Sequence, residues 1–323
     1  MSKQIIAFIS QLALTEQESW IRQLSEVLPD ENIVLADVLT QAQKQQCEIA
    51  IVANPDPNVV KQFTHLKWCQ SLWAGVDSLL AAFKHSQQVL DDNINFKLSR
   101  LIDPQLAQTM SEAVLTWVLY FHRDMHLYQQ QQSNAVWHQI DYKLASERTV
   151  GILGLGELGQ SSALRLIDNG FNVIGWSRNE KHINGVHCIS GEQGLAELAV
   201  KSDIVVCLLP LTPSTRSLIN ENFLQQLAKD TCLINFARGG IINTPDLLNA
   251  LNNKMLAHAV LDVFDQEPLS SNSPLWQHNN ITILPHISAP THIKSASRIV
   301  AGSIKKYRKT GQLPTCVNLN QGY

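Results

Sequence analysis

The stretch VGILGLGELG, residues 150–159, decides the fold class of this chain, because it joins an apolar strand pattern to a helix start. Its glycines have the spacing Gly-x-Gly-x-x-Gly. Gly154 permits a tight turn, Gly156 lets the backbone approach a pyrophosphate, and Gly159 lets the helix pack against the strand. The helix N-terminus then attracts the anion. The residues predicted to contact a dinucleotide at this turn are Gly154, Leu155, Gly156, Glu157, Leu158 and Gly159.

Strand and helix patterns alternate on both sides of this stretch. Before it, the predicted strands are 4–9, 32–38, 47–53 and one that begins near 66. After it, they are 171–178, 203–210, 231–240, 256–264 and 281–287. This alternation is typical of parallel sheets covered by helices. We therefore predict an α/β protein with two Rossmann-like, doubly wound parallel-sheet domains that flank a cleft.

The length of 323 residues favours two domains, at roughly 100–200 residues per domain. Asp103-Pro104 is a helix start signal, and the apolar spacing after it predicts one long helix over 104–132. A final amphipathic helix is predicted over 291–309. One predicted domain, the substrate-binding domain, is built from two parts: residues 1–103 and a return helix with tail over 290–323. The other is an NADP-binding Rossmann domain over 104–289.

Composition excludes several classes of protein. Hydrophobic residues make up 45%, which excludes general disorder, and a net charge of −3 provides no basic field for nucleic acid. No apolar run reaches the length of a membrane span, and the start lacks a signal-peptide cleavage site. The six cysteines are scattered without a Cys-x-x-Cys pair, so reduced cytoplasmic thiols are favoured over disulfides. His122 and His126 lack the glutamate of a zinc-protease helix, and no metal is predicted.

The strand after the glycine turn indicates which dinucleotide is used. NAD enzymes place an acidic residue about 20 residues after the turn, where it binds the ribose hydroxyls. This chain has Gly175-Trp176-Ser177-Arg178 there, with no acid. Ser177 can donate a hydrogen bond and Arg178 can hold a phosphate with its planar donor fork. The segment therefore favours NADP, with a surface arginine as the alternative.

Three later segments place reactive side chains just after predicted strands. Arg238 follows the strand in FARGG, Glu267 follows the next in LDVFDQEP, and His286 follows the last in ILPHISAP. In an open parallel sheet the ligand crevice lies beyond the carboxyl ends of the strands. We therefore expect these three residues to meet at one edge of the sheet.

These segments resemble the signature blocks of the D-2-hydroxyacid dehydrogenase family. INFARGGIINTPDLLNAL, HAVLDVFDQEPL and ITILPHISAP follow the glycine motif in the family's order, and the resemblance covers nearly the whole chain. SLWAGVDSLL, RLIDPQLAQTMSEAVLTWVLYFHRDM and VWHQ resemble its NADPH-preferring branch, the glyoxylate/hydroxypyruvate reductases A, still more closely. The resemblance implies an oxidoreductase that reduces small 2-oxo acids with NADPH, glyoxylate to glycolate and hydroxypyruvate to D-glycerate, and that forms a homodimer through the long helix.

The resemblance also implies roles for individual residues. His286 would be the general acid, Glu267 would hold its ring and stabilise the imidazolium, and Arg238 would clamp the substrate carboxylate. The amides of Ala74 and Gly75, beside Trp73, would bind that carboxylate, with Arg238 and His286 completing the substrate contacts. Further cofactor contacts would come from Ser177, Arg178, Leu209, Pro210, Ala237, Arg238 and Asp262.

Several alternatives stay open at this point. Trp73 and Trp137 either wall the pocket and favour small substrates or simply pack in a core. Arg100 either contacts the carboxylate or is a surface cation. Another enzyme of the family, an NAD-linked D-lactate or phosphoglycerate dehydrogenase, would share these motifs. A dinucleotide-sensing corepressor would share the fold but does not need the Arg, Glu and His set.

Overall fold

In the computed structural model, residues 3–85 and 96–318 are described. Over these residues the strands β1–β12 are Gln4–Ser10, Glu31–Leu35, Ile49–Ala53, Trp68–Ser71, Lys97–Ser99, Thr149–Leu153, Asn172–Trp176, His187–Ile189, Ile204–Cys207, Cys232–Asn235, His258–Leu261 and Ile281–Ile283. The helices α1–α11 are Leu14–Val27, Gln41–Gln46, Pro57–Val60, Asp77–His85, Pro104–His122, Met125–Ser133, Glu157–Asp168, Gly191–Lys201, Glu221–Leu224, Thr244–Asn252 and Ile293–Thr310. Short 3₁₀ helices cover Ala36–Val38, Ala145–Glu147, Gly239–Ile241 and Pro274–Gln277.

The chain divides into two compact units. The first comprises Met1–Gln105 and Thr291–Tyr323, and the second comprises Leu106–Pro290. The first unit is therefore built from two separate stretches of sequence, while the second is continuous. No helix in the described part of the chain is both long and apolar enough to cross a membrane.

The first unit contains a five-stranded, all-parallel sheet in the order β2-β1-β3-β4-β5. This is the flavodoxin-like version of the doubly wound fold, whose switch point lies between β1 and β3. Both faces are covered. Trp20 and Leu24 of α1 and Val300 and Ile304 of α11 pack on one face, and Phe83 of α4 packs on the other. Strands buried on both faces explain why β3 is apolar throughout, without alternation.

The second unit contains a seven-stranded, all-parallel sheet in the order β12-β11-β10-β9-β6-β7-β8. The six strands from β11 to β8 have the Rossmann order, and the switch point lies between β6 and β9. Val114 and Val118 of α5 pack on one face, and Leu198 of α8 and Leu247 of α10 pack on the other. The predicted α/β class with two doubly wound parallel sheets is confirmed.

The single long helix predicted over 104–132 is wrong, because the structure divides it into α5 and α6. Asp124 adopts a left-handed conformation with φ 52° between them. Asp tolerates this region better than most residues. The guanidinium of Arg148 lies between the carboxylates of Asp124, at 3.6 Å, and Asp203, at 3.3 Å, and this contact holds the break.

The sequence patterns also overestimated strand lengths and missed two short edge strands. β9 ends at Cys207 and β10 ends at Asn235, so the residues after them are turns rather than strand. β5 and β8, with three residues each, pair only at the sheet edges. Leu209 and Phe236, which follow β9 and β10, are nevertheless buried, whereas Ile287 after β12 is exposed.

Candidate active site

Arg238 lies in a turn that follows β10. The side chain of the fully buried Asn235 holds this turn, since its Nδ2 donates to the carbonyl of Arg238 at 3.0 Å and its Oδ1 accepts from the amide of Ala237 at 3.1 Å. The Arg238 guanidinium also donates from Nη1 to the Ala237 carbonyl at 2.7 Å. A buried amide that uses both its donor and its acceptor in this way fixes the backbone at the base of the guanidinium.

Glu267 and His286 form a hydrogen-bonded pair. Nδ1 of His286 lies 2.7 Å from Oε2 of Glu267, and Oε1 of Glu267 accepts from the amide of Phe264 at 2.9 Å. The bond from the Phe264 amide to Oε1 therefore fixes the Glu267 carboxylate, while Oε2 orients the His286 ring. Because Nδ1 is directed to the carboxylate, Nε2 is the nitrogen left for proton transfer. The His286 side chain is 54% exposed, so its outer edge is accessible.

Asp262 holds the backbone on which His286 stands. Its carbonyl accepts from the amide of His286 at 3.0 Å. Its carboxylate oxygens accept from the amides of Ile287, at 2.7 Å, and Ser288, at 3.0 Å. His286 has φ 54°, a left-handed conformation that is uncommon for residues other than glycine. Three hydrogen bonds to one buried aspartate keep the histidine in that conformation.

Gly239 brings the Arg238 turn against the segment that carries Glu267. A Cβ atom at this glycine would lie 2.1 Å from the carbonyl carbon of Phe264 and 2.3 Å from the amide nitrogen of Asp265. Any side chain here would push the two backbones apart. Arg238, Glu267 and His286 therefore stand on three neighbouring turns at the carboxyl ends of β10, β11 and β12, as the sequence predicted for that edge.

The glycine turn lies at the switch point of the same sheet. Gly154 has φ 106°, and a Cβ on Gly159 would overlap the Gly154 carbonyl oxygen at 1.8 Å. Gly156 is exposed as the N-cap of α7, and a Cβ there would meet nothing within 4 Å. Of the other predicted turn contacts, Leu155 is buried, Leu158 packs on the core and Glu157 is exposed. The open space over Gly156 and the amides of α7 fit a pyrophosphate.

The end of β7 carries the residues predicted to select the dinucleotide. Ser177 is buried, and its hydroxyl donates to the carbonyl of Asn179 at 2.7 Å. Nη2 of Arg178 donates to Oγ of Ser214 at 2.8 Å. Nζ of Lys181 donates to the carbonyl of Leu155, which links this segment to the glycine turn. Two cations, Arg178 and Lys181, thus lie on the segment after β7, where this fold binds the adenosine end of a dinucleotide.

The remaining predicted cofactor residues lie at the same carboxyl edge. Leu209 and Pro210 follow β9, and a Cβ on Gly154 would meet the backbone of Leu208 and Leu209 at 2.9–3.0 Å, so this segment borders the glycine turn. Ala237 is buried before Arg238. The structure thus brings the predicted cofactor residues together at one edge of the seven-stranded sheet.

The predicted substrate turn belongs to the first unit. Trp73, Ala74 and Gly75 follow β4 and are half-buried, and Val76 after them is buried. The amide of Trp73 donates to Oγ of Ser71 at 3.0 Å, and its carbonyl accepts from the amide of Leu101 at 3.0 Å. The amides of Ala74 and Gly75 lie outside the strands and helices, which suits a turn that binds an anion.

Comparison with known proteins decides the family. Residues 115–288 match the NAD-binding domain of the D-isomer specific 2-hydroxyacid dehydrogenases. The chain is 34% identical to glyoxylate/hydroxypyruvate reductase A of Yersinia enterocolitica over 308 residues, which covers 95% of this chain and 97% of the relative. It is 35% identical to the reductase of the same name from Serratia proteamaculans, with 93% and 94% covered. The chain belongs to the D-isomer specific 2-hydroxyacid dehydrogenase family.

Solved members of this family have the same fold. The Xanthobacter autotrophicus 2-hydroxyacid dehydrogenase in complex with NADPH and MES is 33% identical, with a TM-score of 0.90 over 99% of this chain and 100% of that one. The NADPH-dependent glyoxylate/hydroxypyruvate reductase of Sinorhizobium meliloti in complex with NADP and sulfate is 30% identical, with a TM-score of 0.88 over 99% and 100%. The resemblance read from the sequence is confirmed, and the chain is an oxidoreductase of this family.

Three contributions of this 2-hydroxyacid dehydrogenase were missed by sequence reasoning. Ser214 accepts a hydrogen bond from Arg178, and Lys181 bonds to Leu155 in the glycine turn; the only sequence signal for these contacts was a lysine three residues after the arginine. Asp262 was predicted only as a cofactor contact, whereas its carboxylate also holds the His286 turn. Such contacts depend on loop conformations that no spacing reveals.

Proposed function

We propose that this protein reduces small 2-oxo acids with NADPH, glyoxylate to glycolate and hydroxypyruvate to D-glycerate. The observation that carries the proposal is the 2.7 Å contact between His286 and Glu267 beside the Arg238 turn. A general acid, its orienting carboxylate and a carboxylate-binding guanidinium at one edge are what carbonyl reduction of a 2-oxo acid requires. The names of the Yersinia and Serratia relatives support these two substrates.

In this proposal each residue has a defined task. The Arg238 guanidinium holds the substrate carboxylate and polarises the carbonyl, and the amides of Ala74 and Gly75 bind the carboxylate. Bound NADPH supplies the hydride for the keto carbon. His286 donates the proton from Nε2 to the carbonyl oxygen, and Glu267 stabilises the imidazolium before transfer. Asp262 keeps the histidine in place through the three hydrogen bonds to its turn.

The cofactor assignment rests on the end of β7. No carboxylate stands at the position that binds the ribose hydroxyls of NAD, and Arg178, Lys181 and Ser214 provide donors for a 2′-phosphate. The NADPH and NADP held by the Xanthobacter and Sinorhizobium structures support the same choice. Gly156 and the α7 N-terminus would bind the pyrophosphate.

The deciding experiment is NADPH oxidation by the purified chain with a panel of 2-oxo acids. We expect higher kcat/KM for glyoxylate and hydroxypyruvate than for pyruvate or longer 2-oxo acids. Absence of NADPH oxidation with both substrates would overturn the proposal. A clear preference for NADH with pyruvate or a phosphorylated hydroxypyruvate would instead assign one of the NAD-linked activities.

We further propose a cytoplasmic homodimer. The stretch after α6 exposes large apolar side chains that water would otherwise surround, and a second copy would cover them. These are Val136, Trp137, Tyr142 and Leu144, with Trp137 99% exposed. Sedimentation velocity on wild type and on Trp137→Ser tests this: we expect a dimer that weakens in the variant, and a monomeric wild type would refute it.

The free cysteines, four of them buried, support a reducing compartment.

A further inference from the structure

Asn54 occupies the switch point of the five-stranded sheet. It follows β3, and its carbonyl accepts from the amide of Gln11, which follows β1, at 3.2 Å. In a doubly wound sheet the ligand crevice opens between the strands at this point. Asn54 has φ 48°, a left-handed conformation that Asn and Asp adopt more readily than other residues with a side chain.

The side chain of Asn54 is bonded to the proposed substrate turn. Its Oδ1 accepts from Nε1 of Trp73 at 2.9 Å. The Trp73 ring also packs edge to face on Trp20, with centroids 6.1 Å apart. Together with the contacts of the Trp73 backbone to Ser71 and Leu101, these interactions attach the residue at four points. Trp73 is therefore an anchor, packed against the core of the first unit.

A buried polar chain leads to the same turn. Nε1 of Trp68 donates to Oγ of Ser99 at 2.7 Å, this hydroxyl donates to Oε1 of Gln70 at 2.7 Å, and Nε2 of Gln70 donates to the Ser71 carbonyl at 2.8 Å. All four residues are at most 3% exposed. Polar groups in an otherwise apolar sheet destabilise it unless they are bonded, and a fully bonded network makes its surroundings rigid.

We propose that Asn54 is a positioning residue that, with the polar chain ending at Ser71, holds Trp73 so that the Ala74 and Gly75 amides stay aimed at the substrate carboxylate. This inference rests on the proposed function, in which those amides bind a 2-oxo acid. Amides already in place lose less freedom when the anion binds than amides of a mobile turn. Asn54 acts through Trp73 and does not itself contact the substrate.

The test compares Asn54→Gly with Asn54→Asp. Glycine keeps the left-handed backbone but removes the acceptor, whereas aspartate keeps both. For Asn54→Gly we expect KM for glyoxylate to rise about tenfold, the scale of one weakened charge-assisted hydrogen bond. We expect kcat and the KM for NADPH to stay within about twofold of wild type. At an ionic strength that screens the charge aspartate adds near the substrate carboxylate, we expect the glyoxylate KM of Asn54→Asp to be close to that of wild type. Lys254→Gly, at another left-handed position with φ 56°, controls for added flexibility.

A double-mutant cycle with Trp73→Phe tests the contact itself. Phenylalanine keeps an aromatic ring but cannot donate to Asn54, so the double variant should show the same KM as either single variant. Additive effects, an unchanged KM in Asn54→Gly, or an equal loss in kcat would overturn the proposal. Wild type that reduces no 2-oxo acid would instead reject the proposed function, so the two failures are distinguishable.

Discussion

The carboxyl ends and the amino ends of the strands in the seven-stranded sheet, its carboxyl edge and its amino edge, each carry a histidine. The two histidines have opposite environments. At the carboxyl edge, His286 is half-exposed and bonded to the Glu267 carboxylate at 2.7 Å. At the amino edge, His258 begins β11, is 5% exposed, and contacts the ring of His126 and the hydroxyl of Thr282. No carboxylate pairs with His258 among the described residues.

This difference indicates how the surroundings of a histidine suit it to proton transfer or to a structural role. Burial lowers the pKa of His258 to about 4, and the nearby His126 and His278 add to the effect. Burial also lowers the pKa of His126. A neutral imidazole serves as a packing and hydrogen-bonding group, whereas one beside a carboxylate and open on its other side can transfer a proton. Position relative to the strand ends separates the two roles.

The largest effect is expected for the carboxyl-edge histidine. General acid catalysis typically contributes 10²–10⁴-fold, so His286→Ala should lower kcat by about that factor. NADPH affinity, measured by fluorescence titration, should be nearly unchanged, because the glycine turn is intact. Replacement of His258 by Gln should leave kcat close to wild type. If His286→Ala kept most of its turnover, the contrast between the two edges would fail.

The amino-edge histidine should instead control acid stability. Because its pKa is lower in the folded chain than the ordinary 6.5, the unfolded chain binds more protons between about pH 6.5 and 4. The free energy of unfolding should therefore fall as pH drops through this window, by about 3 kcal/mol from His258 alone.

His258→Gln should flatten this acid dependence, as measured by urea unfolding at a series of pH values. Glutamine can still bond to the Thr282 hydroxyl but does not titrate. His138→Gln, at an exposed position, is the matched control. An acid slope equal to that of wild type in His258→Gln would show that the buried ring does not limit stability at low pH.

Arg178, at the carboxyl edge, is expected to determine the preference for NADPH over NADH. A charge-assisted hydrogen bond contributes about 1.5–3 kcal/mol, or roughly 10- to 150-fold. Wild type should therefore favour NADPH over NADH in kcat/KM by at least about tenfold, and Arg178→Ala should remove most of this preference by weakening NADPH alone. Arg22→Ala, an exposed arginine of α1, should change neither cofactor. Equal use of both cofactors by wild type would contradict the assignment.

The smallest effect is expected at Gly156, where a substitution should weaken cofactor binding without changing stability. A methyl group on Gly156 meets no protein atom but occupies the space proposed for the pyrophosphate. Gly156→Ala should thus weaken NADPH binding about tenfold and leave Tm nearly unchanged. Gly302→Ala, in the exposed interior of α11, should stabilise the fold by about 0.5–1 kcal/mol and leave NADPH affinity unaltered. A lower Tm in Gly156→Ala would mean that the glycine serves the fold.

The carboxyl edge was largely predictable from the sequence. A glycine turn can be predicted because it forms only where side chains are absent. A Cβ atom at Gly154 or Gly159 would lie too close to neighbouring backbone atoms. Arg238, Glu267 and His286 each follow an apolar strand, and parallel strands bring their carboxyl ends together. Their roles stay predictions, to be tested by the variants above.

The unpredicted features depend on contacts between residues that are distant in sequence. The break at Asp124 has neither Gly nor Pro to signal it and is held by Arg148, 24 positions later. Asn54 reaches Trp73 between the ends of two neighbouring strands, and Asp262 reaches the amides after His286. Side chains that bond to backbone or to other side chains across loops leave no periodicity for a sequence pattern to show.

The discontinuous first unit has a consequence for the synthesis of the protein. Val300 and Ile304 of α11 are fully buried against the sheet that the first 105 residues form. At roughly 5–20 residues per second, a ribosome needs roughly 10–40 s to proceed from the end of that stretch to the end of α11. During this interval the nascent chain carries an apolar sheet face without its final cover, while the continuous second unit emerges complete. A chaperone that binds apolar surface therefore has longer access to the sheet of the first unit than to that of the second.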